Sequence, residues 1–469
     1  MSREGGEQVE AALAFRLAQI VPHLAVDLAD DAAHDPVSAQ RVDGAAAALL
    51  DLVARNLCVQ PTPDRLWLAL TAVAGCLPRA DDILEAGYRA ETSNPAQTAI
   101  WMLDYALERG SAETRTRSLR VLPGAVFVDP GVPGAERTPR PVDALAASIL
   151  ARWTTRNHVI CVSWTPGDEC WTAAVDGPTE FVVPWHSTVV LLGRPPLGAS
   201  ERIAAAAQYS GSLFAALTDD CFPAASAGLR DDSAVSAIAR YLGVLRHFSR
   251  LAALSEASAA DFRGLASALP AQGLVGPNVA FCAPPTTPPP LSPRTSRAPA
   301  VVERPPVPPP QTVICVGDLD DRPSQSELRY ACERLRSEGL RFELRVEGPE
   351  AQKLDSLYAS ARFAVFPSPH EGNALAISQC LATGVPVVCS KFLATSPADG
   401  IAFFDASDPA SLRDVMRALL VDDDRISNLR AQIDGRRNIS YDDYADNLWG
   451  FLVDGPDSSE GSGLPGGAL

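Results

Sequence analysis

Residues 357–390 read LYASARFAVFPSPHEGNALAISQCLATGVPVVCS: a short helix, a buried strand ending at Phe366, a loop from Pro367 to Gly372, a helix from about Ala374, a Gly-Val-Pro turn and a second buried strand. That is a βαβ unit. Phe363 to Phe366 and Val385 to Cys389 are continuously apolar, as strands of a parallel sheet covered on both faces are. Ligands of such sheets lie beyond the carboxyl ends of the strands, where Ser368 to Asn373 falls. Asn373 suits a helix N-cap, which leaves the N–H groups of Ala374, Leu375 and Ala376 facing the loop with the positive end of the helix dipole. A diphosphate fits that place and gains ~0.3–1 kcal/mol from the dipole alone. Glu371 precedes the helix and Gln379 lies about a turn and a half into it. Ile377, Cys380, Leu381 and Gly384 form the stripe expected to face the core.

These residues carry a resemblance. Pro367-Ser368-Pro369-His370-Glu371-Gly372-Asn373-Ala374-Leu375-Ala376, followed by Gln379, Ala382, Gly384, Pro386, Val387 and Val388, resembles the donor-site motif of the retaining GT-B glycosyltransferases of family 4. The resemblance implies that Glu371 contacts the donor sugar, that the backbone of Asn373, Ala374 and Leu375 cradles the diphosphate, and that Gln379 holds the nucleotide ribose. His370 and Gly372 fall in the same donor loop. Two positions depart from the family pattern. Its second Glu is Gln379 here, and its Phe-Gly pair is Asn373-Ala374. An amide bonds a ribose less strongly than a carboxylate does.

At 469 residues the chain has room for two or three domains. A net charge of −17 argues against a nucleic-acid partner, because phosphate binding needs a basic footprint. Met1 to Glu10 is polar and acidic, unlike a signal peptide, and no apolar run reaches membrane-spanning length, so a cytoplasmic location is expected. The ten cysteines are scattered singly through apolar segments without metal-ligand spacing, as reduced core thiols are.

Taken in order, residues 1–115 read as a helical domain of about five helices, with Asp35-Pro36, Thr62-Pro63 and Asn94-Pro95 as start signals. This domain serves packing or oligomerisation, homo- or heteromeric, or else acceptor recognition. From 120 to 282 the pattern turns to α/β: strands at Ala125–Asp129, Val159–Ser163, Glu180–Val183, Thr188–Leu192 and Leu213–Leu217, then a long helix from Ala234 to Ala252 and another to Leu269. Asp219-Asp220-Cys221-Phe222-Pro223 resembles the family's His-Asp-x-x-Pro segment with Asp219 in the histidine place. Asp220 is thereby the candidate carboxylate of the acceptor side, and a turn-capping Asp is the alternative. Residues 283–310 hold a dozen of the 40 prolines and read as a semi-rigid linker.

A second α/β domain, 311–440, opens with the strand Thr312–Val316 and Gly317. Relatives place cations shortly after this glycine to neutralise the diphosphate. Here Arg322 supplies one, while Asp318 and Pro323 occupy the other places. A diphosphate left without one partner loses ~2–5 kcal/mol. Asp318-Leu319-Asp320 is also a D-x-D string, a metal-chelating motif in another transferase fold, but a solvated acidic turn explains it more simply. Residues 441–452 suit a last helix crossing back to the first domain, and 453–469 a disordered tail.

The resemblance implies an α/β fold of the GT-B kind: two Rossmann-like domains facing across a cleft, after an all-helical N-terminal domain. It implies transfer of a sugar, with retention, from a nucleotide-diphosphate donor to a glycan, lipid-linked or protein acceptor, with neither cofactor nor metal. Asp318, Pro323 and Gln379 keep a second reading open, an inactive GT-B protein that partners an active transferase.

Overall fold

The computed structural model describes residues 3–25, 45–131, 141–164, 169–174, 179–218, 232–286, 311–316, 323–347, 357–358, 360–367, 374–390, 400–408, 410–435 and 439–455. Six helices come first: α1 (Arg3–Leu24), α2 (Ala45–Val59), α3 (Pro63–Ala74), α4 (Ala80–Thr92), α5 (Pro95–Arg109) and the short α6 (Ala112–Thr116). Proline opens α3 and α5, as their start signals imply, whereas Asp35-Pro36 lies outside the described residues. Asn94 and Gln97 form a reciprocal capping box at α5. The buried Arg16 donates to the carbonyls of Ala72, Val73, Arg115 and Arg117, which supplies partners to the end of α3. Burial lowers its pKa to about 10, so it stays charged at neutral pH.

The helical core continues into the α/β region. Leu17, Trp67 and Met102 belong to one apolar cluster with Trp171, Val182 and Phe214. Between them lies a small sheet in which β1 (Leu119–Pro123) pairs parallel, and β4 (Trp171–Ala174) antiparallel, with β5 (Thr179–Trp185). The turn after β5 holds His186 at φ 45°, unusual for a residue with a Cβ. Its Nε2 lies 3.0 Å from Asp64 Oδ2 in the first turn of α3, which ties the helices to the sheet.

The first large sheet is wholly parallel, in the order β3 (Val159–Cys161), β2 (Val126–Asp129), β6 (Thr188–Leu191), β7 (Leu213–Thr218), β8 (Arg250–Ala253) and β9 (Asn278–Phe281). Helices α7 (Pro141–Arg156), α8 (Ser200–Tyr209), α9 (Asp232–Leu245) and α10 (Glu256–Ala268) connect its strands. The expected long helix to Ala252 is corrected here: α9 ends at Leu245 and Arg250–Ala253 is a strand. Its alanines favour helix locally, but burial beside β7 and β9 overrides that preference.

The second sheet is also parallel, β11 (Phe342–Glu347), β10 (Gln311–Val316), β12 (Ala361–Phe366), β13 (Val387–Ser390) and β14 (Ile401–Phe404), with α11 (Pro323–Ser337), α12 (Ala374–Ala382), α13 (Ser411–Val421) and α14 (Asp423–Asp434). A final helix, α15 (Tyr441–Trp449), packs onto α7. Trp153 Nε1 donates to Ala445 O at 2.8 Å, Arg152 pairs with Asp442 and Asp446, and Arg250 donates to the carbonyls of Leu452 and Val453. Tyr444 and Leu448 are buried with Val128 and Val190 of the first sheet. Helices first, then two Rossmann-like sheets and a returning helix, make up the α/β, GT-B layout.

Candidate functional site

In each large sheet the strand order reverses once, between β2 and β6 in the first and between β10 and β12 in the second. Such reversals open the crevice in which doubly wound sheets bind ligands. Strands β10 and β12 are parallel neighbours, with Cys315 opposite Val365, so their carboxyl ends meet on one edge. The segments that follow them in sequence carry Gly317 and Arg322, and His370, Glu371, Gly372 and Asn373. These residues lie outside the described ones, as does Asp220, which follows β7.

The described part of the site is α12. Ala376, Ile377, Cys380 and Leu381 pack with Ile314, Phe366 and Val387 of the sheet, so the expected apolar stripe does face the core. Leu375 points the other way and joins the cluster of Val128, Val190, Tyr444 and Leu448. The helix start therefore lies between the two domains. Among the described residues no group accepts from the backbone N–H of Ala374, Leu375 or Ala376. An anion there meets the positive end of the helix dipole.

Ser378 holds α12 where the chain crosses between domains. Its Oγ donates to Pro285 O at 2.7 Å. Gln379, half-buried, lies near the Tyr441 hydroxyl, whose pKa burial raises against a smaller opposing pull from the Gln379 amide. The crossings are bonded to one another as well: Thr286 N donates to Ile439 O at 2.9 Å, and Ile439 N to Thr286 Oγ1 at 2.7 Å. The side chain expected on a ribose thus lies beside the hinge. Sequence spacing carries no sign of this, because Gln379 and Tyr441 are far apart in the chain.

At the first sheet's reversal the loops leaving β2 and β6 touch. Gly131 has φ 81°, and a Cβ on Gly193 would lie 2.9 Å from both Gly131 Cα and Pro130 O. Gly193→Ala is expected to cost ~1–3 kcal/mol in urea unfolding through overpacking, whereas Gly198→Ala, in open space, should cost little. Beneath the loops Asp129 is buried at the end of β2. Its Oδ1 accepts from Gly131 N at 2.9 Å and its Oδ2 from Trp171 Nε1 at 3.2 Å. Burial raises this carboxyl to about 6 against both bonds. The sequence reading passed over Asp129 as a site residue, although an acid closing an apolar strand just before Pro130-Gly131 was the signal.

Burial raises the thiols of Cys282, Cys315, Cys380 and Cys389 to about 12, which keeps them protonated and inert at neutral pH. His247 is lowered to about 4, by burial and then by Arg246, and is neutral at pH 7.

Residues 296–422 match the family of glycosyl transferases group 1. The group 1 match runs from before β10 to the end of α13 and so covers the second sheet's reversal and α12. Similar solved structures include sucrose-phosphate synthase from Thermosynechococcus elongatus, 15% identical over 70% of this chain and 97% of that one, TM-score 0.44. The catalytic domain of Arabidopsis thaliana starch synthase IV is 11% identical over 71% and 99%, TM-score 0.44. The α,α-trehalose 6-phosphate synthase of Burkholderia multivorans is 10% identical over 71% and 99%, TM-score 0.46. No curated protein matches the sequence. None of the described helices is long and apolar enough to cross a membrane.

Proposed function

We propose that the protein is a retaining glycosyltransferase, cytoplasmic and independent of metal, that moves a sugar from a nucleotide-diphosphate donor to an acceptor hydroxyl. The observation that carries this reading is the start of α12, a helix N-terminus at a sheet reversal, lying between two domains and inside the group 1 match. In this reading residues 311–440 hold the donor. Residues 120–282 hold a glycan, lipid-linked or protein acceptor beside Asp220, and 283–310 link the two. Arg322 and the amides of α12 take the charge that develops on the diphosphate as the C1–O bond to it breaks. The acceptor oxygen bonds C1 on the same face, and its proton passes to the departing phosphate oxygen, so the protein supplies no nucleophile. Glu371 orients the sugar hydroxyls. Gln379 holds the ribose from beside Tyr441.

Asp318 and Pro323 at the cation positions and Gln379 in place of the family's Glu favour a second reading, an inactive partner of an active transferase. Calorimetric titration with UDP, GDP and their sugar conjugates separates the two. The enzyme reading expects binding of at least one. It also expects Glu371→Ala to weaken the sugar conjugate about tenfold and leave the bare nucleotide unchanged, since one charge-assisted bond is worth ~1.5–3 kcal/mol. Absence of heat with every nucleotide would leave only the partner reading.

A further inference from the structure

Helix α5 is apolar on two opposite sides. Thr98, Met102, Tyr105 and Ala106 are buried against the helical core. Ile100, Leu103 and Leu107 fall within roughly 60° of arc on the far side at the α-helical pitch. They remain 61%, 40% and 63% exposed. Helix α4 runs alongside, held by Trp101 Nε1 donating to Glu85 Oε1 at 3.2 Å and by the Arg109–Asp82 pair at 3.0 Å. It adds Leu84 and Tyr88, one turn apart and both exposed. Single exposed apolar side chains are ordinary on protein surfaces. A two-turn stripe beside a second exposed pair is the pattern of a surface meant to be covered.

Charge selects what covers it. Asp104 and Glu108 follow Ile100 at four-residue steps and border the stripe, while Asp81, Glu85 and Glu91 are exposed along α4. Arg89 there already faces Glu85. A second copy of a chain carrying −17 would set acid against acid, and an anionic bilayer would be repelled in the same way. We propose that the α4–α5 face docks an amphipathic helix of another protein, with one apolar stripe flanked by lysine or arginine. Leucines of that helix would lie on Ile100 and Leu107, its cations beside Asp104 and Glu108. This proposal is independent of any transferase activity.

The test titrates the full-length protein into a fluorescein-labelled peptide of about 18 residues, long enough to hold a helix, with a leucine stripe and lysine flanks. A second peptide has the same stripe with glutamate flanks. Saturable binding of the lysine peptide is expected, weakening as salt rises. The glutamate peptide and the double variant Ile100→Gln/Leu107→Gln should each bind at least about tenfold more weakly, because a few buried apolar anchors carry most of an interface's affinity. Both substitutions are at exposed positions, and an unchanged circular dichroism spectrum verifies the fold. Equal binding of the two peptides, undiminished binding by the variant, or no binding at all overturns the proposal. So does a wild-type dimer in sedimentation that the double variant dissolves, since the occupant would then be a second copy.

Discussion

Trp153→Ala is expected to lower the stability of the protein by ~3–5 kcal/mol, the usual cost of emptying a buried aromatic site. Trp153 is 1% exposed on α7, under the returning helix α15. Its ring meets Trp449 edge-on at 5.2 Å between centroids, and its Nε1 donates to Ala445 O at 2.8 Å. Removing the indole opens a cavity and leaves a backbone carbonyl without its donor. The remaining ties cannot make this good. The pairs of Arg152 and Arg156 with Asp446 are partly or well exposed, where solvent and salt weaken ion pairs. Urea unfolding should show the loss, and amide hydrogen exchange should quicken across Tyr441 to Asp454. Trp153→Phe keeps most of the packing but loses the donor, and should fall between the variant and the wild type. A loss below ~1 kcal/mol for the alanine variant would mean that α15 is not seated on the first domain by this contact.

How much was legible follows from the range of the interactions involved. The unit from Phe363 to Ser390 could be read because both strands are buried on both faces, and the residues themselves record that. The last helix could be read because Tyr441, Tyr444, Leu448 and Leu452 recur at helical spacing. Strand β8 could not. Four residues, Arg-Leu-Ala-Ala, carry no period, and only β7 and β9 on either side make them a strand. The small sheet of β1, β5 and β4 was equally hidden, since its parallel pair joins β1 and β5 about 60 residues apart while β4 and β5 pair antiparallel. At the site, the start of α12 follows from local helix chemistry alone. The nearness of Gln379 to Tyr441 depends on where the chain re-enters the first domain, which no local pattern encodes. Asp129 was hidden by the opposite fault: it ended a well-read strand and was taken as the strand's last residue rather than as a buried acid.

Asp129 should make the fold sensitive to pH in a direction opposite to that of a salt-bridged carboxylate. Burial holds its carboxyl at about 6, against 3.8 for the free side chain. Between these values the folded protein keeps a proton that the unfolded chain has lost, so raising the pH favours the unfolded state. The contribution is fully present below the unfolded value, disappears as the pH passes through the folded one, and is flat above it. A shift of about two units corresponds to ~3 kcal/mol. Asp129→Asn cannot ionise and lacks this slope. Its amide oxygen can accept from either Gly131 N or Trp171 Nε1 but not both, which costs ~1 kcal/mol at every pH. The stability difference between variant and wild type, measured by urea unfolding, should therefore move by ~2.4 kcal/mol in the variant's favour from pH 4 to pH 7. Taking the difference cancels the titration of every other carboxylate common to both proteins. Cys161 gives a second readout. Its exposed thiol is raised by local desolvation and then by the Asp129 charge, so it should alkylate faster in the asparagine variant at alkaline pH. A difference that stays constant across the range would show that Asp129 is ionised in the folded protein throughout and that the burial argument for it fails.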